Sequence, residues 1–376
     1  MLPFLSKKIE NKSIVWFQQP NAYVVFEPIV ESILSKISEG FSLESIETFC
    51  KETINAPDHA IRDFVSDTAR MYHENTSPRG EDTPEAPVLQ IPTHFSTKKY
   101  YSINNKHFLI EYETEFLESE IHPAIAHLEL EVAPIDSEVF HYQLFEQEET
   151  LVFLKNKELI GRWPVSEVHV LKGKVSMHVL IDIYQRPEAD WMGVFHASAV
   201  SNGKESLLFL GDSGNGKSTS LALLHAHGYP CIADDFVPID NNQNVRSHPA
   251  AISIKKNSVP TLLPHYPELK SSAEFHFKSL NKIVRYLPPK KIAYDLELPC
   301  RALIFIKYDA NIELEVSAIS QVEAFEQLVP DAWISPLTNN AQTFLEWFSK
   351  LPCYQLTYAD TPKMISTVTQ IFNDEL

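Results

Sequence analysis

The chain has 376 residues, of which 44% are hydrophobic and 22% charged, so it has the composition of an ordinary globular protein and the length of two or three domains. Its formal net charge of −18 argues against nucleic acid as a partner, because binding a phosphate backbone requires a basic face. No apolar run is long enough to span a membrane. The start, MLPFLSKK, has too short an apolar stretch before its first charges to be a signal peptide. The four cysteines are widely spaced along the chain. These features predict a cytoplasmic protein without disulfide bonds or a membrane partner.

Residues 1–75 are predicted to form a small module with one β-hairpin and three helices. The runs SIVWFQ and AYVVFE form the hairpin, and the helices begin at Pro28, after Ser42 and at Pro57. This order is a winged-helix arrangement. The module carries seven Lys and Arg against eleven Asp and Glu, which disfavours DNA. Peptide binding along a strand edge or groove is the preferred interpretation, and a structural or dimerisation role is the alternative.

Residues 76–96 are rich in proline and are predicted to be a linker. The following part, to about residue 185, has short alternating runs (FLIEYE, HLELEV, ETLVFL, ELIGRW and EVHVL) that predict a largely β subdomain. Strand and helix patterns then alternate to the end of the chain. The fold class is therefore predicted to be α/β or α+β, with residues 97–376 as one domain.

Gly211 begins a glycine-rich loop, GDSGNGKS, between an apolar strand and a predicted helix. The loop fits the pattern G-x-x-x-x-G-K-[ST], in which backbone N–H groups surround the phosphates of a nucleotide. Lys217 would reach the β- and γ-phosphates, and Ser218 would place its hydroxyl on a magnesium ion. A plain strand–turn–helix corner is the alternative. The predicted nucleotide-binding residues are Gly211, Asp212, Ser213, Gly214, Asn215, Gly216, Lys217, Ser218 and Thr219.

Two adjacent carboxylates, Asp234 and Asp235, stand at the end of a predicted strand, CIA. One could hold a metal ion while the other accepts a proton from an attacking hydroxyl. Because neighbouring strand residues face opposite sides, the backbone must bend if both are to serve one site. A pair of turn aspartates is the alternative. His196 lies in a predicted apolar strand, VFHASAV, that precedes the strand leading into the loop. It could contact a transferred phosphoryl group or orient the base, or be an ordinary core histidine.

These residues together resemble the HPr kinase/phosphorylase family, whose phosphate loop belongs to the phosphoenolpyruvate carboxykinase type of fold. The match lies in FHASAV, GDSGNGKS and ADDFVPI, in that order. The resemblance implies ATP and Mg²⁺ as ligands, Lys217 and Ser218 on phosphate and magnesium, Asp234 as the catalytic base or acid, Asp235 as a magnesium ligand and His196 as an active-site neighbour.

The chain departs from that family downstream of the acidic pair. The Glu-x-Arg-Gly-x-Gly signature is missing, so HPr itself is not the expected substrate. HPAAISIKKNS instead resembles the Pro-plus-Lys strand of divergent relatives. Lys255 or Lys256 could therefore face the substrate, and simple solvent exposure of both is the alternative.

Residues 13–73 resemble PqqD-like peptide-recognition domains, which accompany enzymes that modify ribosomally made peptides. Combined with the kinase resemblance, this implies an ATP- and magnesium-dependent kinase that phosphorylates a Ser- or Thr-type hydroxyl on a peptide. A small-molecule kinase, for instance of free serine, is one alternative. A non-catalytic, nucleotide-gated regulatory protein is the other. Relatives of this kind tend to assemble, so a homo-oligomer is also expected.

Overall fold

The computed structural model describes residues 3–78, 88–135, 137–277 and 282–376. It is mixed α/β, and the chain divides into two compact units: Met1–Ala86 with Ala318–Cys353, and Pro87–Ser317 with Tyr354–Leu376. Within the described stretches, no helix is both long and apolar enough to cross a membrane. Residues 79–87, which are part of the predicted linker, lie outside them.

The secondary structure elements are numbered in chain order. The strands are β1 (Phe4–Ile9), β2 (Lys12–Phe17), β3 (Ala22–Phe26), β4 (Thr97–Ile103), β5 (Lys106–Tyr112), β6 (Glu129–Leu130), β7 (Val139–Gln147), β8 (Thr150–Lys155), β9 (Glu158–Pro164), β10 (Trp191–Phe195), β11 (Ser198–Ser201), β12 (Ser206–Leu210), β13 (Cys231–Asp234), β14 (Val237–Asp240), β15 (Asn244–Val245), β16 (Ile252–Lys255), β17 (Phe275–Phe277), β18 (Lys282–Leu287), β19 (Leu298–Tyr308), β20 (Leu314–Ala318), β21 (Ala332–Ile334) and β22 (Cys353–Tyr358). The α-helices are α1 (Pro28–Ser38), α2 (Leu43–Thr53), α3 (Asp58–Thr76), α4 (Glu115–Ile125), α5 (Val168–Tyr184), α6 (Lys217–Ala226), α7 (Val259–Leu262), α8 (Gln321–Leu328), α9 (Thr338–Phe348) and α10 (Thr361–Phe372).

The first unit contains an antiparallel sheet in the order β1-β2-β3, with α1 to α3 following it. The predicted hairpin (β2 and β3) and the three predicted helices are confirmed. The side chain of Ser42 accepts a hydrogen bond from the Ser45 amide at the start of α2, as expected of a capping serine. Strand β1 was not predicted, because its alternating sequence FLSKKI is short and half polar.

The chain returns to this unit near its C-terminus. The Tyr23 ring, on β3, contacts the rings of Phe325 and Phe344 at centroid distances of 6.1 and 5.3 Å. The Asn21 side-chain amide donates a 2.9 Å hydrogen bond to the Ile334 carbonyl oxygen. The sequence alone assigned residues 318–353 to the second domain. In the structure, their apolar side chains cover the N-terminal hairpin.

The second unit begins with a six-stranded sheet in the order β6-β4-β5-β7-β8-β9. The predicted turns at Asn104 and Asn156 are confirmed, with φ values of +48° and +50°. The prediction of a strand at EVHVL is wrong, because this segment begins helix α5. Val168, Leu171, Val175 and Val179 have helical spacing and pack in the core over the sheet. In the predicted strand HLELEV, His127 and Leu128 belong to a short 3-10 turn, and only Glu129–Leu130 pairs as a strand.

The second unit also contains a mixed sheet with the order β13-β11-β12-β19-β15-β14-β10, in which β22 pairs with both β19 and β20. Strands β12 and β19 are parallel, whereas β11 is antiparallel to both β12 and β13. Helices α6 and α10 contribute apolar residues to the core on one face of this sheet. A small sheet, β16-β18-β17, also belongs to this unit.

Candidate functional site

The glycine-rich loop lies between β12 and α6, as the sequence predicted. Gly211, Gly214 and Gly216 have φ values of +127°, +109° and +98°, a region that L side chains rarely adopt. A Cβ atom on Gly211 would also lie only 2.9 Å from the Ile306 carbonyl oxygen on β19. The conformation of the loop therefore favours glycine at all three positions, and at Gly211 the close approach to the neighbouring strand requires it as well.

Lys217 and Ser218 begin α6, so they stand at the positive end of the helix dipole. Lys217 is 6% exposed, and its Nζ donates a 2.5 Å hydrogen bond to the Gly211 carbonyl oxygen. Its ammonium thus folds back along the loop. The Ser218 hydroxyl donates a 3.0 Å hydrogen bond to Oδ1 of Asp234, which connects the loop to the acidic pair.

Asp234, the last residue of β13, is 2% exposed and fully engaged in hydrogen bonds. Its Oδ1 accepts from the hydroxyls of Ser198 (2.5 Å) and Ser218 (3.0 Å). Its Oδ2 accepts from the Ser253 amide at 2.9 Å. Burial raises the pKa of Asp234, and the negative charge of Asp235 raises it further, while these hydrogen bonds oppose the shift.

Asp235 has a φ of +60°, so the backbone turns sharply directly after β13. This is the bend that the sequence analysis required if both carboxylates serve one site. Its side chain is 49% exposed and lines a cavity, and its Oδ2 accepts a 3.2 Å hydrogen bond from the Ser253 hydroxyl. Ser253 therefore contacts both carboxylates.

His196 and Lys255 also line this cavity. The Nδ1 atom of His196 lies 3.3 Å from the carbonyl oxygen of Asp235 and 3.9 Å from its Oδ1. The Lys255 Nζ donates a 3.0 Å hydrogen bond to the hydroxyl of Ser213, in the loop. Partial burial lowers the pKa of Lys255, and the charges of Lys282 and Lys217 lower it further. Of the two candidate lysines, Lys255 is the one that reaches the site.

The cavity has a volume of about 160 Å³. Its lining from the loop and α6 comprises Asp212, Ser213, Gly214, Gly216, Lys217, Ser218 and Thr219. The predicted residues Gly211, Asn215 and Asp234 are not part of this lining. The Asn215 carbonyl oxygen accepts a hydrogen bond from the Tyr308 amide at 2.9 Å, and the Thr219 hydroxyl donates to the hydroxyl of Ser258 at 2.8 Å.

The rest of the lining was not predicted from the sequence. It consists of Lys172, Ser253, Ser258, Phe277, Lys282, Val284 and Tyr286. Lys172 comes from α5, and its ammonium bonds to Glu120 and lies over the Phe277 ring. Ser253 could have been found, because it lies two residues before Lys255 on β16 and so shares its face. The others come from distant segments that carry no motif.

Metal ligands in this site would be oxygen atoms. Among the residues that the structure describes, no three His, Cys, Asp or Glu side chains gather as a metal-binding group. Ser218 and Asp235, the two predicted ligands, both line the cavity. No protein-family model matches the chain, and a search of curated proteins also found no match.

Proposed function

We propose that the protein is an ATP- and magnesium-dependent kinase that transfers the γ-phosphoryl group to a hydroxyl acceptor. The observation that carries this proposal is the convergence of Lys217, Ser218 and Asp235 on one cavity. Phosphoryl transfer needs a cation for the phosphates, a hydroxyl that can bind magnesium, and a carboxylate. The order of the motifs supports the same fold family, that of the phosphoenolpyruvate carboxykinase-type kinases.

The triphosphate would bind at the loop. Backbone amides of the loop, the N-terminus of α6 and the Lys217 ammonium supply positive charge to the phosphates. Lys255 adds a second ammonium, which reaches the loop at Ser213. These groups bind the nucleotide and neutralise charge that develops on the transferred phosphoryl group.

Magnesium fits the oxygen donors at this site. Mg²⁺ prefers oxygen ligands and is commonly held by one or two carboxylates together with substrate phosphates. Ser218 and Asp235 are the residues that would hold it, and when bound it would neutralise phosphate charge. Asp234 is too enclosed to face the cavity, but through its hydrogen bond it fixes the orientation of the Ser218 hydroxyl.

The contacts favour Asp235, and not Asp234, as the group that receives the proton from the acceptor. A general base must be within hydrogen-bond reach of that proton. Asp235 is half exposed in the cavity, whereas Asp234 is buried and both of its carboxylate oxygens already accept hydrogen bonds from serine residues. The acceptor oxygen bonds to the γ-phosphorus, the bond from that phosphorus to the β–γ bridging oxygen breaks, and the acceptor proton passes to Asp235.

A peptide is the proposed acceptor. The first unit has the hairpin and three helices expected of a PqqD-like recognition domain, and β3 lies at the edge of its sheet. An extended peptide can add to such an edge by main-chain hydrogen bonds. Tethering the peptide would raise its concentration at the kinase site.

The experiment is mass spectrometry of candidate acceptors after incubation with the full-length protein, ATP and Mg²⁺. Peptides with serine or threonine and free serine are compared, and the Lys217→Ala variant is the control. We expect a phosphorylated peptide with the wild-type protein alone. Equal phosphorylation of free serine would favour the small-molecule kinase. Nucleotide binding without any phosphorylated product would favour the regulatory protein and contradict the proposal.

A further inference from the structure

Tyr308 ends strand β19, on the side of the loop opposite the acidic pair. Strand β12 leads into the loop, with β11 and then β13 on one side and β19 on the other. β13 ends at Asp234, and β19, parallel to β12, ends at Tyr308. Both ends therefore lie at the edge of the sheet where the loop begins, which is the edge that binds ligands in such sheets.

The end of β19 lies directly beside the loop and contacts it. It continues three residues beyond Phe305, the partner of the last residue of β12. The Tyr308 amide donates a 2.9 Å hydrogen bond to the Asn215 carbonyl oxygen. A Cβ atom on Gly216 would lie 3.5 Å from the Cβ of Tyr308. Tyr308 is thus in direct contact with the residue that precedes α6.

The Tyr308 ring is exposed, although the side chains that precede it on the same face of β19 are buried. Ile304 and Ile306, which share its face of β19, are buried in the core together with residues of α6. Tyr308 is the next residue on this face, beside the loop, and it is 54% exposed. Its ring contacts the Tyr358 ring edge to face at 5.8 Å, and the Tyr358 hydroxyl is hydrogen-bonded to that of Ser220, in α6. The exposed ring is therefore supported by the same helix that begins at the loop.

We propose that Tyr308 is the platform on which the purine base of the bound nucleotide stacks, an inference that rests on the proposed function. The γ-phosphate lies toward Asp235, so the nucleoside leaves the loop on the other side, where β19 ends. An exposed aromatic ring beside a phosphate loop offers a base an apolar face of matching shape. Stacking of this kind holds the nucleoside without contributing to the binding of the phosphates.

Calorimetry with two probes tests this assignment. Mg-ATP and Mg-tripolyphosphate are titrated into the wild-type protein and into Tyr308→Ala, Tyr308→Phe and Phe116→Ala. Neither Tyr308 nor Phe116 is part of the cavity lining, but Phe116 is an exposed aromatic residue of α4 and not of the sheet edge where the loop begins, so it serves as the matched control. We expect Tyr308→Ala to weaken Mg-ATP binding about tenfold or more while tripolyphosphate binding stays unchanged. Tyr308→Phe and Phe116→Ala should bind both probes as the wild-type protein does.

The two probes distinguish failure of the stacking role from failure of the proposed function. Unchanged Mg-ATP binding in Tyr308→Ala would overturn the stacking role. So would an equal loss of both probes, or a loss in Tyr308→Phe as large as in Tyr308→Ala. A wild-type protein that binds neither probe would contradict the proposed function itself, and this inference with it.

Discussion

The Ser218 hydroxyl and Oδ1 of Asp234 are joined by a 3.0 Å hydrogen bond that links the glycine-rich loop to the end of β13. The same carboxylate accepts hydrogen bonds from Ser198, on β11, and from Ser253, on β16. One buried group therefore connects three strands to the loop. Because Ser218 is the proposed magnesium ligand, the orientation of that ligand depends on Asp234.

Asparagine substitutions should separate the two carboxylates. Asp234→Asn replaces one acceptor oxygen with an NH₂ group, leaves a buried donor without a partner, and should weaken Mg-ATP binding and lower stability by about 1–3 kcal/mol. Asp235→Asn removes a carboxylate that would hold magnesium, so it should weaken Mg-ATP binding without this loss of stability. It should also lower the transfer rate at saturating Mg-ATP by about two to four orders of magnitude, the usual effect of losing a general base. Calorimetry and initial rates measure the two effects.

The sequence-based division of roles predicts a different pattern. If Asp234→Asn abolishes transfer without affecting Mg-ATP binding or stability, and Asp235→Asn weakens Mg-ATP binding without lowering the transfer rate at saturating Mg-ATP, the proton acceptor is Asp234 and not Asp235. Small, equal effects of both substitutions would mean that the pair only forms a turn.

Gly211 should tolerate alanine less well than Gly214 does. Both have a positive φ, so either substitution strains the backbone by about 1–3 kcal/mol. Only at Gly211 would the new Cβ meet a backbone atom, the Ile306 carbonyl oxygen at 2.9 Å, whereas Gly214 has open space. Gly211→Ala should therefore lose more Mg-ATP affinity and melt at a lower temperature than Gly214→Ala. Equal behaviour of the two variants would contradict the close approach of the loop to β19.

Tyr23 should stabilise the first unit through its ring and not through its hydroxyl. The ring contacts Phe325 and Phe344, while the buried hydroxyl has no hydrogen-bond partner within the described residues. Tyr23→Ala should lower the free energy of unfolding by about 3–5 kcal/mol. Tyr23→Phe, the matched control, should have a free energy of unfolding at least as large as that of the wild-type protein. Equal losses in both variants, in urea denaturation, would contradict this packing.

His248 should make the protein less stable in acid. Burial lowers its pKa to about 3, whereas a histidine in the unfolded chain has a pKa of about 6.5. Between these values the unfolded state binds a proton that the folded state does not, so stability falls with decreasing pH by up to about 1.4 kcal/mol per unit. His248→Gln should show a shallower fall than the wild-type protein below about pH 6. His169→Gln, at an exposed position of α5, should not. Identical slopes for all three proteins would contradict the prediction.

The local parts of the site could be predicted from the sequence because short motifs determine them. Positive φ values require the glycines of the loop, and a strand followed by two aspartates requires the bend that Asp235 provides. The partners of Asp234 were not predicted. Ser198 and Ser253 are ordinary strand residues, and only the pairing of β11 with β13 and the approach of β16 bring their donors to the carboxylate.

Long-range packing limited the prediction of the fold. EVHVL alternates over a few residues as a strand does, but the helical spacing that begins at Val168 continues through the 17 residues of α5. The return of residues 318–353 to the N-terminal hairpin also has no local signal. It depends on Phe325 and Phe344, whose spacing shows two amphipathic helices but not the surface that they cover.

Titration of the full-length protein with Mg-ATP tests the central claim, a triphosphate site at the glycine-rich loop, most directly. The wild-type protein is compared with Lys217→Ala and with Lys204→Ala, an exposed lysine in the turn between β11 and β12. The account predicts saturable binding by the wild-type protein and by Lys204→Ala, and a loss of binding in Lys217→Ala while its circular dichroism spectrum stays unchanged. Binding of Mg-ATP by Lys217→Ala with wild-type affinity would contradict it.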